Sequence, residues 1–257
     1  MTSTLGIIIT AIVGGLLPAL VWLFFWLNED RKKPEPKGNL LQAFLVGAIA
    51  VIIAFFLEQP FLALLGPLSG TAIPIEFSLA TIFLIISQSK LIIAWSAIEE
   101  GVKYLGARIT VLERPEFDEP VDAMIYLITV ALGFAAMENA LFLFDILSKG
   151  QDHIYFILTG HLRFLGATVV HTVSSATIGA AIALSFYKPQ WQKAVIMMIG
   201  LFTAILLHAL FNFFIINNNG EATAQVLLAL WLAAIFIIFL FERVKIITKS
   251  HEKYFKL

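Results

Sequence analysis

No cysteine occurs in the 257 residues, which excludes a disulfide framework, a thiolate nucleophile and a cysteine-held metal. Charge is scarce as well. Only 14% of the residues are charged, against about a quarter in an ordinary soluble domain. The net charge of −1 argues neither way about nucleic acid, and no nucleic-acid partner is expected. No H-E-x-x-H pair is present, so a zincin site is excluded. Internal repeats and a separate soluble domain are also lacking. Residues Met1 to Gly6 carry no basic segment, and no small-residue cleavage signature follows them. The first apolar run is therefore expected to be a retained span and not a removable signal peptide.

Apolar residues fill the space that charge leaves. They make up 60% of the chain, and mean hydropathy is +0.90. That excess needs a lipid environment. Seven runs approach the ~20 residues that cross a bilayer. They are Leu5–Leu27, Leu40–Leu65, Lys90–Arg108, Val121–Leu147, Ile154–Tyr187, Ala194–Ile216 and Ala222–Phe241. The expectation is an all-α, polytopic membrane protein with about seven transmembrane helices. A further apolar stretch at 75–88 is expected to be a short or re-entrant eighth segment. Joined to the third run it would make a helix of about 58 Å, so a break is expected near Ser87 to Lys90. Residues 1–257 are read as a single transmembrane domain, with a catalytic core at about 90–216.

The basic residues orient this array. Arg31, Lys32, Lys33 and Lys37 fall in the first loop, Arg108 and Arg114 in the third, and Lys188 and Lys193 in the fifth. Arg243, Lys245, Lys249, Lys253 and Lys256 fall in the C-terminal tail. The even loops carry only Lys149. The positive-inside rule places odd loops and the C-terminus in the cytoplasm, with the N-terminus outside.

Ionisable side chains within spans cost at least about 2.5–3.5 kcal/mol near mid-bilayer, so each is a functional candidate. Glu99, Glu100 and Lys103 fall in span three, Glu138 in span four, Arg163 and His171 in span five, and His208 with Asn212 in span six. Counted from the cytoplasmic helix ends, Glu99, Glu100, Glu138, His171 and His208 lie roughly 14 to 17 residues deep, one shared layer at ~1.5 Å per residue. Lys103 can pair with either Glu99 or Glu100 on one helix face. Two carboxylates and two histidines match the donors that hold a catalytic Zn²⁺ and its water, with Glu138, His171 and His208 as ligands. Glu99 or Glu100 then serves as base, and Asn212 offers an amide to an oxyanion. A transporter or proton relay also uses buried carboxylates and histidines, and a silent scaffold uses them for packing. No Gly/Pro-broken helix pair of the transporter kind is evident. Arg163 is expected to snorkel toward the outer interface, and Glu58, Lys90 and Asp145 to be interfacial. Asp122 fits a helix N-terminus without special explanation.

The spacings carry a family resemblance. Glu99-Glu100-Gly-Val-Lys103 reads E-E-x-x-K, Phe134-Ala-Ala-Met-Glu138 reads F-x-x-x-E, and His208-Ala-Leu-Phe-Asn212 reads H-x-x-x-N. With Asp118-Glu-Pro-Val-Asp122, and Arg163 eight residues before His171, these resemble the PrsW family of bacterial intramembrane proteases. That family is related to the type II CAAX prenyl endopeptidases and to the scaffold subunit of gamma-secretase. The resemblance spans about Ala94 to Phe214. It implies a bacterial inner-membrane protease, usually grouped with metalloproteases, acting on single-span regulators such as anti-sigma factors within the lipid bilayer. The CAAX relatives carry a histidine where Glu138 stands, so their site does not transfer unchanged. A metal-free, glutamate-activated water is the alternative that some relatives suggest.

Overall fold

The computed structural model describes residues 4–29, 33–65, 79–217 and 223–255, and among these it is entirely helical. The helices are α1 (Thr4–Glu29), α2 (Lys37–Leu65), α3 (Leu79–Ala107), α4 (Pro120–Ser148), α5 (His153–Leu162), α6 (Thr168–Leu184), α7 (Gln190–Asn217) and α8 (Thr223–Phe255). A π-helical turn at Arg163–Ala167 joins α5 to α6 into one long span, and a second, Arg108–Leu112, closes α3. Six spans are long and apolar enough to cross a membrane: α1, α2, α4, the α5–α6 unit, α7 and α8. The charged helix α3 is the seventh run. It packs between α2 and α7.

The expected break at Ser87 to Lys90 is absent. α3 runs unbroken from Leu79, at 29 residues about 43 Å. No proline or glycine stands between Leu79 and Glu100 to interrupt it. A helix of this length fits a bilayer when tilted. Residues 75–78 of the suggested extra segment lie outside the described residues.

α4 is the centre of the bundle. From Pro120 to Ala136 every residue is buried, so this stretch of the helix is covered on all sides, and most of it is apolar, as a helix wrapped by others must be. Two-thirds of its membrane window is buried, against 17% for α1, whose outer face meets lipid. Without a hydrophobic drive between helices in lipid, close approach relies on small residues. Gly47 of α2 and Gly133 of α4 face each other's backbones. A Cβ on Gly47 would sit 1.9 Å from the Val130 carbonyl oxygen, and one on Gly133 1.9 Å from that of Phe44. That crossing fixes α2 against α4.

The N-terminal end of α4 is tied down by polar groups. Asp122 accepts the backbone amides of Glu119 (2.7 Å) and Asp118 (3.1 Å), satisfying donors that a helix start leaves free. Tyr126 donates to Glu35, Asn39 donates to Tyr126 (3.3 Å), and Arg114 donates to Asn39 (2.9 Å) and Gln42 (2.5 Å). Lys33 pairs with Glu119. These bonds join the segment before α2 to the α3–α4 connection.

Candidate active site

Above this knot, α3, α4, α6 and α7 bring their ionisable residues together. On α3, successive residues Glu99 and Glu100 point differently. Glu100 is fully buried, and so is Lys103. The Lys103 ammonium lies 2.5 Å from Glu100 Oε1, and Ser175 Oγ donates to Glu100 Oε2 at 3.0 Å. His208 Nδ1 lies 2.8 Å from the same Glu100 Oε1. A carboxylate accepts only, so Nδ1 carries the proton and Nε2 presents a bare lone pair.

His171 is fixed in the complementary sense. Lys103 Nζ, a donor only, lies 3.1 Å from Nδ1, so the ring proton sits on Nε2. That proton points to Glu138 Oε2, 2.9 Å away. Phe134, four residues before Glu138, packs on the His171 ring and under the Lys103 ammonium. The two imidazoles meet edge to face with centroids 4.9 Å apart. Each histidine is thus held by one carboxylate, as metal-ligating histidines commonly are.

Glu99 completes the arrangement. Its Oε2 is buried and has no hydrogen-bond partner. It faces His208 Nε2 at 3.7 Å and His171 Nδ1 at 3.8 Å. One ligand atom each from Glu99, His171 and His208 lies within 4.8 Å of the others, the one group among the described residues able to hold a metal. Glu138, expected among the ligands, stands behind His171 instead. Its Oε2 is engaged by His171 and by Arg163 Nη2 at 2.7 Å.

Arg163 therefore does not snorkel. The π-helical turn directs its guanidinium inward, where it donates to Glu138 and, through Nε, to Asn139 (2.6 Å). A carboxylate and an amide within the bundle outcompete the distant interface for a planar fork. Asn139 in turn donates to Thr168 at 3.0 Å.

A cavity of about 650 Å³ opens onto these groups. Glu99, Glu138, Arg163, His171, His208 and Asn212 all line it, whereas Glu100 and Lys103 lie behind its wall. Glu58 of α2 and Trp95 of α3 line it too. The sequence pointed to Glu58 only as an interfacial residue, because helix spacing within α2 does not reveal which neighbour it faces.

A polytopic helical membrane protein with histidines, carboxylates and an open cavity in one buried layer has the makings of an intramembrane hydrolase. The chain belongs to a family of that class: residues 35–241 match the family described as PrsW family intramembrane metalloprotease. It is accordingly an intramembrane protease. Among its relatives, Protease PrsW of Clostridioides difficile is 25% identical over 77% of this chain and 76% of its own length. Protease PrsW of Geobacillus kaustophilus is 25% identical over 87% of this chain and 88% of its own length. That of Bacillus subtilis is 23% identical, covering 79% and 81%. No solved structure matches.

Proposed function

We propose that this protein cuts single-span, membrane-anchored regulatory proteins, of which anti-sigma factors are the kind the family resemblance implies, with Glu99 as the proton-accepting carboxylate. The observation that carries this is the buried, unpartnered Glu99 Oε2 facing two imidazole nitrogens whose tautomers are fixed. Glu100 is fully committed to Lys103, His208 and Ser175 and has no lone pair turned to the cavity. It acts as a positioning residue, and Lys103 with it.

The three groups fit a zinc ion. Tetrahedral N and O ligands at about 2.0–2.2 Å from zinc lie about 3.3–3.6 Å apart, close to the 3.7 and 3.8 Å separations of Glu99 from the two histidines. Ligation by His171 Nδ1 requires Lys103 to rest on Glu100 alone, which it already contacts at 2.5 Å. Bound there, zinc supplies a polarised water with its pKa lowered to about 7. The Glu99 carboxylate, which lines the cavity, takes the proton of the attacking water and returns it to the leaving amine. The Asn212 side-chain amide, which lines the cavity, donates to the oxygen that gains charge. Glu138, held by Arg163, keeps the His171 ring in register. The setting proposed is a bacterial cell membrane, with the N-terminus outside and the C-terminus cytoplasmic.

The test is cleavage of a single-span reporter by purified protein in proteoliposomes. Glu99→Gln is expected to lower kcat by about 10²–10⁴-fold, and Glu138→Gln by about 10–100-fold. Near-normal turnover by Glu99→Gln removes Glu99 from the chemistry. Elemental analysis tests the ion separately: near-stoichiometric zinc is expected in the wild type and its loss in His208→Ala. An active wild type without zinc leaves Glu99 to work on water directly.

A further inference from the structure

Glu58 is the one ionisable residue of α2 between Leu40 and Leu65. Counted from Lys37 it stands about 32 Å along the helix, at the end remote from the basic first loop. An ordinary interfacial glutamate there would face headgroups. Instead its neighbours from Phe55 to Leu64 are all exposed on the outside of the bundle, and Glu58 alone is half-buried. Its side chain lines the cavity that holds Glu99, His171 and His208.

The carboxylates of this cavity differ in how they are answered. Glu138 has Arg163 and His171. Glu99 faces the two histidines. Glu58 lies within electrostatic range of both other carboxylates, yet has no hydrogen bond or ion pair among the described residues. It also stands outside the three-group cluster suited to a metal. A carboxyl without a partner, in the same cavity wall as two carboxylates, makes this side of the cavity a place for a cation from outside the chain. Trp95, one helical turn from Glu99 on α3, lines the same cavity and offers it an aromatic ring. An indole face accepts a lysine or arginine stem and head, as Phe142 in this cavity already does for Arg163, whose guanidinium lies 4.4 Å from the ring centroid.

The cavity's other walls fix where that cation enters. Ile216 and Thr223 flank the connection between α7 and α8, and Thr159 lies on α5, all toward the same end of the bundle as Glu58. We propose that Glu58, with Trp95, is a specificity-determining residue that receives a lysine or arginine of the substrate, on the side of the cut nearer the α7–α8 connection. The inference rests on the proteolytic reading of the Glu99 layer and adds the substrate's charge to it.

The experiment uses single-span reporters, identical except for Lys, Met or Glu scanned through the flank on that side, cut by full-length protein in proteoliposomes. Wild type is expected to favour the best Lys reporter over its Met counterpart by about tenfold or more in kcat/KM. Glu58→Gln is expected to bring that ratio close to one, Glu58→Asp to keep most of it, and Glu58→Lys to favour the Glu reporter. A wild-type ratio near one at every position overturns the proposal, as does a uniform loss in Glu58→Gln that leaves the ratio intact. Capture of the Lys and Met reporters by Glu99→Gln protein, with and without Glu58→Gln, repeats the comparison without turnover. Equal capture of both reporters overturns it there as well. Failure of the Glu99 reading looks different: Glu99→Gln would continue to cut, whatever the Glu58 ratio.

Discussion

Two polar clusters sit on the central helix, about 18 Å apart between Tyr126 and Glu138, and they are built on opposite principles. The knot at the start of α4 is closed. Asp122, Tyr126, Asn39 and Arg114 bond to one another's segments, and each donor found there ends on an acceptor. The layer at Glu138 is nearly closed, then stops. Glu100, Lys103, His171, Glu138 and Arg163 are bonded in series, His208 hangs on Glu100, and beside the two imidazoles stands one Glu99 oxygen with no hydrogen-bond partner. Burying a polar atom unpaired costs about 1–3 kcal/mol, more for a charge. A fold tolerates that where something outside the chain completes the set. The knot is closed on itself, and the unpaired Glu99 oxygen is the feature on which the proposed chemistry rests.

The contrast is sharpest between neighbours on α3. Glu100→Gln leaves the buried Lys103 charge without its partner, and breaking a buried pair on one side costs about 3–5 kcal/mol. A large fall in Tm in detergent is expected, together with loss of cleavage. Glu99→Gln should leave Tm near the wild-type value while lowering kcat by about 10²–10⁴-fold. Equal effects of the two substitutions on Tm would erase the distinction between positioning and reacting carboxylates.

Asn212 offers a smaller break on the functional side. Removing one oxyanion donor costs about 10²–10³ in kcat. Asn212→Ala is expected to show that loss with little change in KM or Tm, since the side chain lines the cavity and no bond of the layer depends on it. A drop in Tm with unchanged kcat would make it a packing residue. On the structural side, Tyr126→Phe strands Glu35 and Asn39 and should destabilise the protein by about 1–3 kcal/mol. Its kcat should stay at the wild-type level, and a kcat loss larger than the stability loss explains would link the knot to the site.

Much of this was legible from residue order. Depth counting along each run brought Glu99, Glu100, Glu138, His171 and His208 to one layer because every helix shares a rise of 1.5 Å per residue. Periodicity says nothing about which way a side chain turns about its helix relative to neighbours not yet placed. For that reason the sequence did not separate Glu99 from Glu100, and Arg163 was assigned to the interface when a π-helical turn rotates it inward. The pairing of Glu138 with Arg163 lay beyond the same reading, since only the packing shows it. The expected break in α3 came from reading an implausible length as an interruption, although no breaking residue stands there and the helix is continuous.

The smallest predicted effect probes the knot through pH. Burial, the largest influence, pushes the Glu35 carboxyl above its ordinary range and, with the nearby Asp118 and Glu119, outweighs the hydrogen bonds from Tyr126 and Asp122 that pull it down. A carboxyl with a higher pKa in the folded state than in the unfolded one binds more protons when folded across the interval between the two values. Stability from this group is therefore greatest below that interval and falls as pH rises through it. Wild-type protein in detergent should lose Tm on going from about pH 4 upward by more than Glu35→Gln does, because glutamine keeps the polar shape and has no proton to lose. Parallel Tm profiles for the two proteins would assign the titration to another group and leave Glu35 a hydrogen-bond acceptor for Tyr126 and no more. A steeper profile in Glu35→Gln would reverse the sign and place the protonated form in the unfolded chain.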